Sequence, residues 1–243
     1  MKKILSYFYS QIAIYFYFTA KPHFINPLNK LRITNEKNAE RALRSNTELW
    51  KIIQYMLQKS SSTGCEYSDL FELYKSICHG NYKFILELGS GISTAVVAYA
   101  IKNKNYYTKK PVFVSMEENI IYYHQIKNIF PSQLAPYVSL NLSNRIEKLY
   151  NGYLGCQYGE IPDYPYELIF IDGPTERSSP GSPKCFNADI VNIANKAKNY
   201  IKAILDQRIW TYWILKKILP NAKIKYYPIK KISVLEIPKY ELE

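Results

Sequence analysis

Four carboxylates stand where apolar runs of this chain stop: Glu87, Glu117, Asp172 and Asp206. Glu87 leads into a glycine-rich turn within Phe84-Ile-Leu-Glu-Leu-Gly-Ser-Gly-Ile-Ser-Thr94. Strand, tight turn and helix in that order bring backbone N–H groups and a helix N-terminus up to a ligand. Gly89 can take backbone angles closed to other residues, Gly91 admits a ligand without a Cβ in its path, and Ser93 and Thr94 suit a helix start. Glu117 ends the run Pro111-Val-Phe-Val-Ser-Met-Glu117, where an acid can accept hydrogen bonds from ribose hydroxyls. Asp172 ends Tyr166-Glu-Leu-Ile-Phe-Ile-Asp172, and Asp206 ends Tyr200-Ile-Lys-Ala-Ile-Leu-Asp206. Ligands of open α/β sheets bind beyond the carboxyl ends of the strands, so both aspartates should face one cleft. There either could act as a general base.

The wording of the glycine turn separates two chemistries. A dinucleotide-binding loop requires Gly-x-Gly-x-x-Gly, and its third glycine is Thr94 here. Glu-Leu-Gly-Ser-Gly-Ile-Ser-Thr instead resembles the first motif of class I S-adenosylmethionine-dependent methyltransferases, over roughly residues 84–237. The resemblance implies that Glu87, Gly89, Ser90, Gly91, Ser93 and Thr94 hold the methionine end of S-adenosyl-L-methionine, with Glu87 supporting its amino group and Glu117 its ribose. Asn144, just past the third strand, would meet the adenine, and Asp172 would lie where cofactor and acceptor meet.

Ile171-Asp-Gly-Pro174 followed by Arg177 resembles methyltransferases acting on hydroxyls or carboxylates, including those related to the glucuronoxylan 4-O-methyltransferases. It departs from the Asn/Asp-Pro-Pro-aromatic signature of enzymes that methylate base amines, which makes nucleic acid a less favoured substrate. Asp172, Asp206 and Gln207 resemble the Asp…Asp-Asn set that holds a divalent ion in catechol O-methyltransferase-like enzymes, with Gln in place of Asn; the implied ion is Mg²⁺. Arg177 and Arg208, with Tyr158, are the candidate substrate residues. The expected acceptor is a small molecule or a glycan hydroxyl, in surface-glycan or natural-product biosynthesis. Two other readings stay open: an RNA-binding methyltransferase, and a non-catalytic subunit that binds cofactor and a partner.

The elements that must position these residues follow from the pattern of the whole chain. At 243 residues, 47% apolar and 21% charged, the chain fits one α/β domain with an N-terminal extension. The expected fold is a doubly wound, mostly parallel seven-stranded sheet, closed by an antiparallel C-terminal strand. Residues 47–58 and 69–79 have helical apolar spacing, and residues 223–229 and 232–237 read as the terminal strand pair. Residues 145–165 read as helical and then irregular, and residues 21–46 as a polar, basic connector with at most one short helix. The net charge of +12 favours acidic partners or a generally basic surface. Four cysteines, far apart and without Cys-x-x-Cys, point away from zinc and disulfides and suit a reducing cytoplasm.

Residues 4–20 are apolar and aromatic behind Lys2 and Lys3. They suit a helix lying on the inner face of a membrane, or one packed on the domain or on a second copy of the chain, with a cleaved or spanning segment as the third reading. The domain boundary is expected at 46/47.

Overall fold

In a computed structural model of the chain, the structure describes residues 25–61, 65–104 and 110–239. Seven strands form one sheet: β1 (Phe84–Leu88), β2 (Val112–Glu117), β3 (Ser139–Leu142), β6 (Leu168–Ile171), β8 (Ile201–Asp206), β9 (Lys223–Tyr227) and β10 (Ile232–Ile237). Their order is β3-β2-β1-β6-β8-β10-β9. β10 runs antiparallel to both its neighbours, while the central pairs are parallel. This is the expected doubly wound α/β sheet. The chain order reverses at β1, so the ends of β1, β2 and β6 open a crevice there.

Strand alternation sorts the core into two layers. Ile85, Phe113, Leu168, Phe170 and Ile204 face the layer of α1 (Ile25–Arg44), α2 (Thr47–Lys59), α3 (Tyr67–His79) and α4 (Ile92–Asn103). Leu86, Leu88, Val114, Ile169, Ile171 and Leu205 face the other side, covered by α6 (Asp189–Ala194) and α7 (Ile209–Ile218). α4 is buried on nearly every residue from Ile92 to Ile101, which explains its apolar, alanine-containing sequence. α5 (Ile120–Ile129) follows β2, capped by Asn119, whose side chain accepts from the N–H groups of Ile121 and Tyr122.

Two elements differ from expectation. The basic connector, expected to hold at most one short helix, contains a 20-residue helix, α1, with no broad apolar stripe to announce its length. Polar anchors hold it: Arg32 Nε donates to Pro228 O at 2.9 Å, and Glu36 accepts the N–H groups of Tyr67 and Ser68 at the start of α3. A carboxylate at a helix N-terminus satisfies donors that have no intrahelical partner. Pro27 lies in the first turn of α1, where its missing N–H costs nothing.

The second difference is a β-hairpin in place of the helix expected after residue 145. β4 (Arg145–Tyr150) pairs antiparallel with β5 (Tyr153–Tyr158), and β7 (Phe186–Asn187) joins β5 in a second, three-stranded sheet. Asn151 and Gly152 both have positive φ, at 48° and 83°. An Asn-Gly turn of this kind matches the twist of a two-residue hairpin and is its strongest local signal.

Among the described residues, no helix is long and apolar enough to cross a membrane. Residues 4–20 lie outside the described residues.

Candidate functional site

Beyond the ends of β1, β2 and β6 lies a cavity of about 560 Å³. Its lining includes Gly89, Ser90, Gly91, Ser93, Glu117 and Asp172, brought together from three strands. Gly89 has φ +101°, and a Cβ there would sit 2.9 Å from the Asp172 carbonyl carbon. A Cβ on Gly173 would in turn meet Gly89 Cα at 2.8 Å. The β1 and β6 loops therefore touch backbone to backbone, and only glycine fits on either side. Gly173 carries no motif of its own in the sequence; its requirement appears only once β6 lies beside β1.

Glu87 sits under this turn, 1% exposed. Thr94 Oγ1 donates to its Oε2 at 2.5 Å and Ser115 Oγ at 2.6 Å, while Thr94 Oγ1 accepts the Gly91 N–H. Oε1 has no partner. Burial raises the Glu87 pKa to about 7, against the lowering pull of the Ser115, Ser93 and Thr94 hydroxyls. Thr94 thus braces Glu87, whereas Ser93 lines the cavity directly.

Glu117 is 5% exposed and accepts from Ser90 Oγ and from the Asn119 N–H, each at 2.9 Å. Burial raises its pKa as well. Glu118, beside it, also lines the cavity, and accepts from Tyr158 OH at 3.1 Å and from the Thr175 N–H at 2.9 Å.

The other end of the cavity is built around Asp172 and Arg208. One Arg208 terminal nitrogen, Nη2, donates to the Asp172 carbonyl and, at 3.2 Å, to Asp172 Oδ1; Nη1 donates to Pro174 O and Asn187 Oδ1. Asn187 is fully buried and uses its whole amide: Nδ2 donates to Gly173 O and Pro174 O at 2.9 and 2.8 Å, and Oδ1 also meets Thr211 Oγ1. Sequence reasoning missed Asn187, because nothing local marks it. It acts from β7, in the sheet whose hairpin was not expected.

Behind Asp172 the carboxyls form a chain. Asp206 neighbours both Asp172 and Asp69 of α3, and one oxygen each of Asp69 and Asp206 is buried without a partner. Burial and then the neighbouring acid raise the pKa of Asp69 and Asp206, and burial raises Asp172 against the opposing pull of Arg208. Cys65 approaches Asp172 Oδ2 at 3.8 Å, and burial with the Asp172 charge pushes its thiol pKa well up, which makes it a poor nucleophile.

Several expected site residues lie elsewhere. Tyr158 is fully buried and ties Glu118 and Met116 O together beneath the cavity floor, so it supports the site from below and does not line it. Asn144 is exposed outside the cavity lining, and Arg145, its neighbour, lines the cavity instead. Arg145 Nε donates to Thr175 O at 2.8 Å. Arg177 is exposed and donates to Ser182 O within its own loop, also away from the lining. Gln207 is exposed, at φ 34°. It does not line the cavity with Asp172, so the three residues do not form the expected Mg²⁺ set. Among the described residues, no group of three or more His, Cys, Asp or Glu could hold a metal ion.

No protein-family model matches the chain, and no curated protein matches it. Solved structures give remote likenesses. A methyltransferase-like protein from Silicibacter pomeroyi is 14% identical at a TM-score of 0.45, over 76% of this chain and 92% of that one. Cofactor-bound Rv0187 from MTB is 10% identical at a TM-score of 0.47, over 95% and 97%. Likeness this remote does not carry chemistry across. The site's chemistry is read from the chain's own residues.

Proposed function

We propose that this chain is an S-adenosylmethionine-dependent methyltransferase acting on a hydroxyl of a sugar or another small acceptor. The observation that carries the reading is a pair of buried carboxylates: Glu117 lining the cavity at the end of β2, and Glu87 outside the lining, beneath the glycine turn, with an unpartnered oxygen. Buried carboxylates are stable only with donors or positive charge to meet them. A ligand with an ammonium group and a ribose diol supplies both. When bound, S-adenosylmethionine supplies an electrophilic methyl group on sulfur. Ser90 and the Gly89–Gly91 backbone set where that ligand's methionine end lies, and Glu117 fixes its ribose.

The chain's remaining task is to align an acceptor and receive its proton. Asp172 Oδ1 is committed to Arg208, whereas Oδ2 meets the Cys65 thiol at 3.8 Å. Oδ2 is therefore the atom that takes the hydroxyl proton. Arg177 and Arg208 do not offer a free cationic grip, so the acceptor is read as uncharged at the reacting end.

The test is calorimetric titration with S-adenosylhomocysteine, with NADH as control. Micromolar binding that Glu117→Ala weakens, with no response to NADH, supports the reading. No binding to well-folded protein sinks it and leaves the chain as a partner subunit.

A further inference from the structure

The acids at the ends of β6 and β8 are where the resemblance implies a divalent ion, and these residues do not fit one. Magnesium requires near-octahedral oxygen ligation at close range. Here Asp206 and Gln207 both lie outside the cavity lining, and Asp172 Oδ1 accepts from Arg208.

We propose that the Arg208 guanidinium is the resident cation of the acceptor end, in place of a metal ion. This inference rests on the methyltransferase reading of the cavity. A guanidinium keeps its charge at every accessible pH, and its fork geometry suits several oxygens at once. Four acceptors meet this one: Asp172 O, Asp172 Oδ1, Pro174 O and Asn187 Oδ1. Nε is buried without a partner, so the group cannot swing out to be solvated on that side without breaking its other bonds. A divalent ion on the free oxygen of Asp172 would lie within a few ångströms of this fixed charge, in a setting where water screens little.

The remaining negative charge has other relief. Lys231 pairs with Glu66 at the edge of the cluster. The role of Arg208 is that of a positioning residue, holding Asp172 with Oδ2 turned towards the acceptor.

The experiment is a Mn²⁺ titration followed by electron paramagnetic resonance, on full-length protein with saturating S-adenosylhomocysteine. Wild type is compared with Arg208→Gln, which removes the charge and keeps a hydrogen-bonding side chain. The glutamine variant should bind Mn²⁺ at least tenfold more tightly than wild type, and Asp206→Asn in that background should abolish the gain. Equal Mn²⁺ affinity in the two proteins, tight or weak, overturns the proposal. If Arg208→Gln does not fold, wild type decides: one Mn²⁺ per chain, lost in Asp172→Asn, overturns the proposal, and no such site supports it. Failure of S-adenosylhomocysteine to bind would reject the methyltransferase reading separately, by calorimetry on the same protein.

Discussion

The two ends of the cavity are built on opposite plans. Around Glu87 and Glu117 the carboxylates are buried with acceptor capacity to spare, each held by hydroxyls or N–H groups from nearby turns. Around Asp172 the polar groups are spent on one another: Arg208, Asn187 and Thr211 close a network that spans β6, β7 and α7. The first end is a socket, pre-formed and waiting for donors. The second is a frame that fixes one carboxylate and offers a single oxygen. Binding should therefore depend on the first end and turnover on the second.

The largest expected effect comes from the point where the two ends meet. Gly89→Ala forces a side chain into a left-handed backbone and against Asp172, which should cost about 3 kcal/mol. Thermal unfolding should show a drop of several degrees together with loss of S-adenosylhomocysteine binding. A normal melting temperature would mean that the loops can part.

Next comes the division itself. Glu117→Ala should weaken S-adenosylhomocysteine binding about thirtyfold to a hundredfold, the equivalent of about 2–3 kcal/mol for charge-assisted hydrogen bonds. Asp172→Asn should leave that affinity within about threefold while abolishing turnover of a methyl acceptor, since it removes one proton acceptor and little binding energy. If both variants lose binding alike, the two ends are one site and the contrast fails.

A smaller effect concerns pH. With its pKa raised to about 7, Glu87 is protonated in acid and ionised above neutrality. Its pairing with a ligand ammonium is present above that pKa and lost as pH falls through it. Calorimetry should find weaker binding at pH 6 than at pH 8, by up to about tenfold per unit on the acid side. A flat profile, or a Glu87→Gln variant with the same slope, would remove Glu87 from the socket.

Stability gives a control outside the cavity lining. Asp189 is buried with one oxygen unpartnered, and burial raises its pKa to about 8. A raised folded-state pKa contributes stability that is complete below the unfolded value near 4 and lost as pH rises through about 8. Asp189→Asn should accordingly stabilise the protein above pH 8 by about 2 kcal/mol, read as a higher melting temperature. The Asn carbonyl can still accept the Tyr158 N–H that Asp189 accepts now.

The same contrast separates what was legible in the sequence from what was not. Glu87, Gly89 to Gly91 and Glu117 are marked by residues beside them in the chain, so strand, turn and acid can be read together. Asp172 and Asp206 were placed at strand ends by their apolar runs, and the sheet confirms those positions. Asn187, Arg145 and Gly173 depend on contacts between segments far apart in sequence, and no local pattern announces them. Asn151-Gly152 was a different matter: the turn signal was present, and the hairpin it specifies was overlooked in favour of a helix. The length of α1 was not legible because its anchors, Arg32 and Glu36, act across more than thirty residues and leave only a thin apolar stripe.

The seam between Gly89 and Gly173 has a consequence for how this scaffold can diversify. Because main chain meets main chain there, the spacing between the socket and the frame is not adjustable by exchanging side chains. A chain of this kind cannot widen its reaction gap by small steps at the bottom of the cavity. New acceptor preferences have to be written at the rim, in the loop carrying Thr175 and Ser178 and in the segment carrying Cys65, while the ruler beneath them stays the same length.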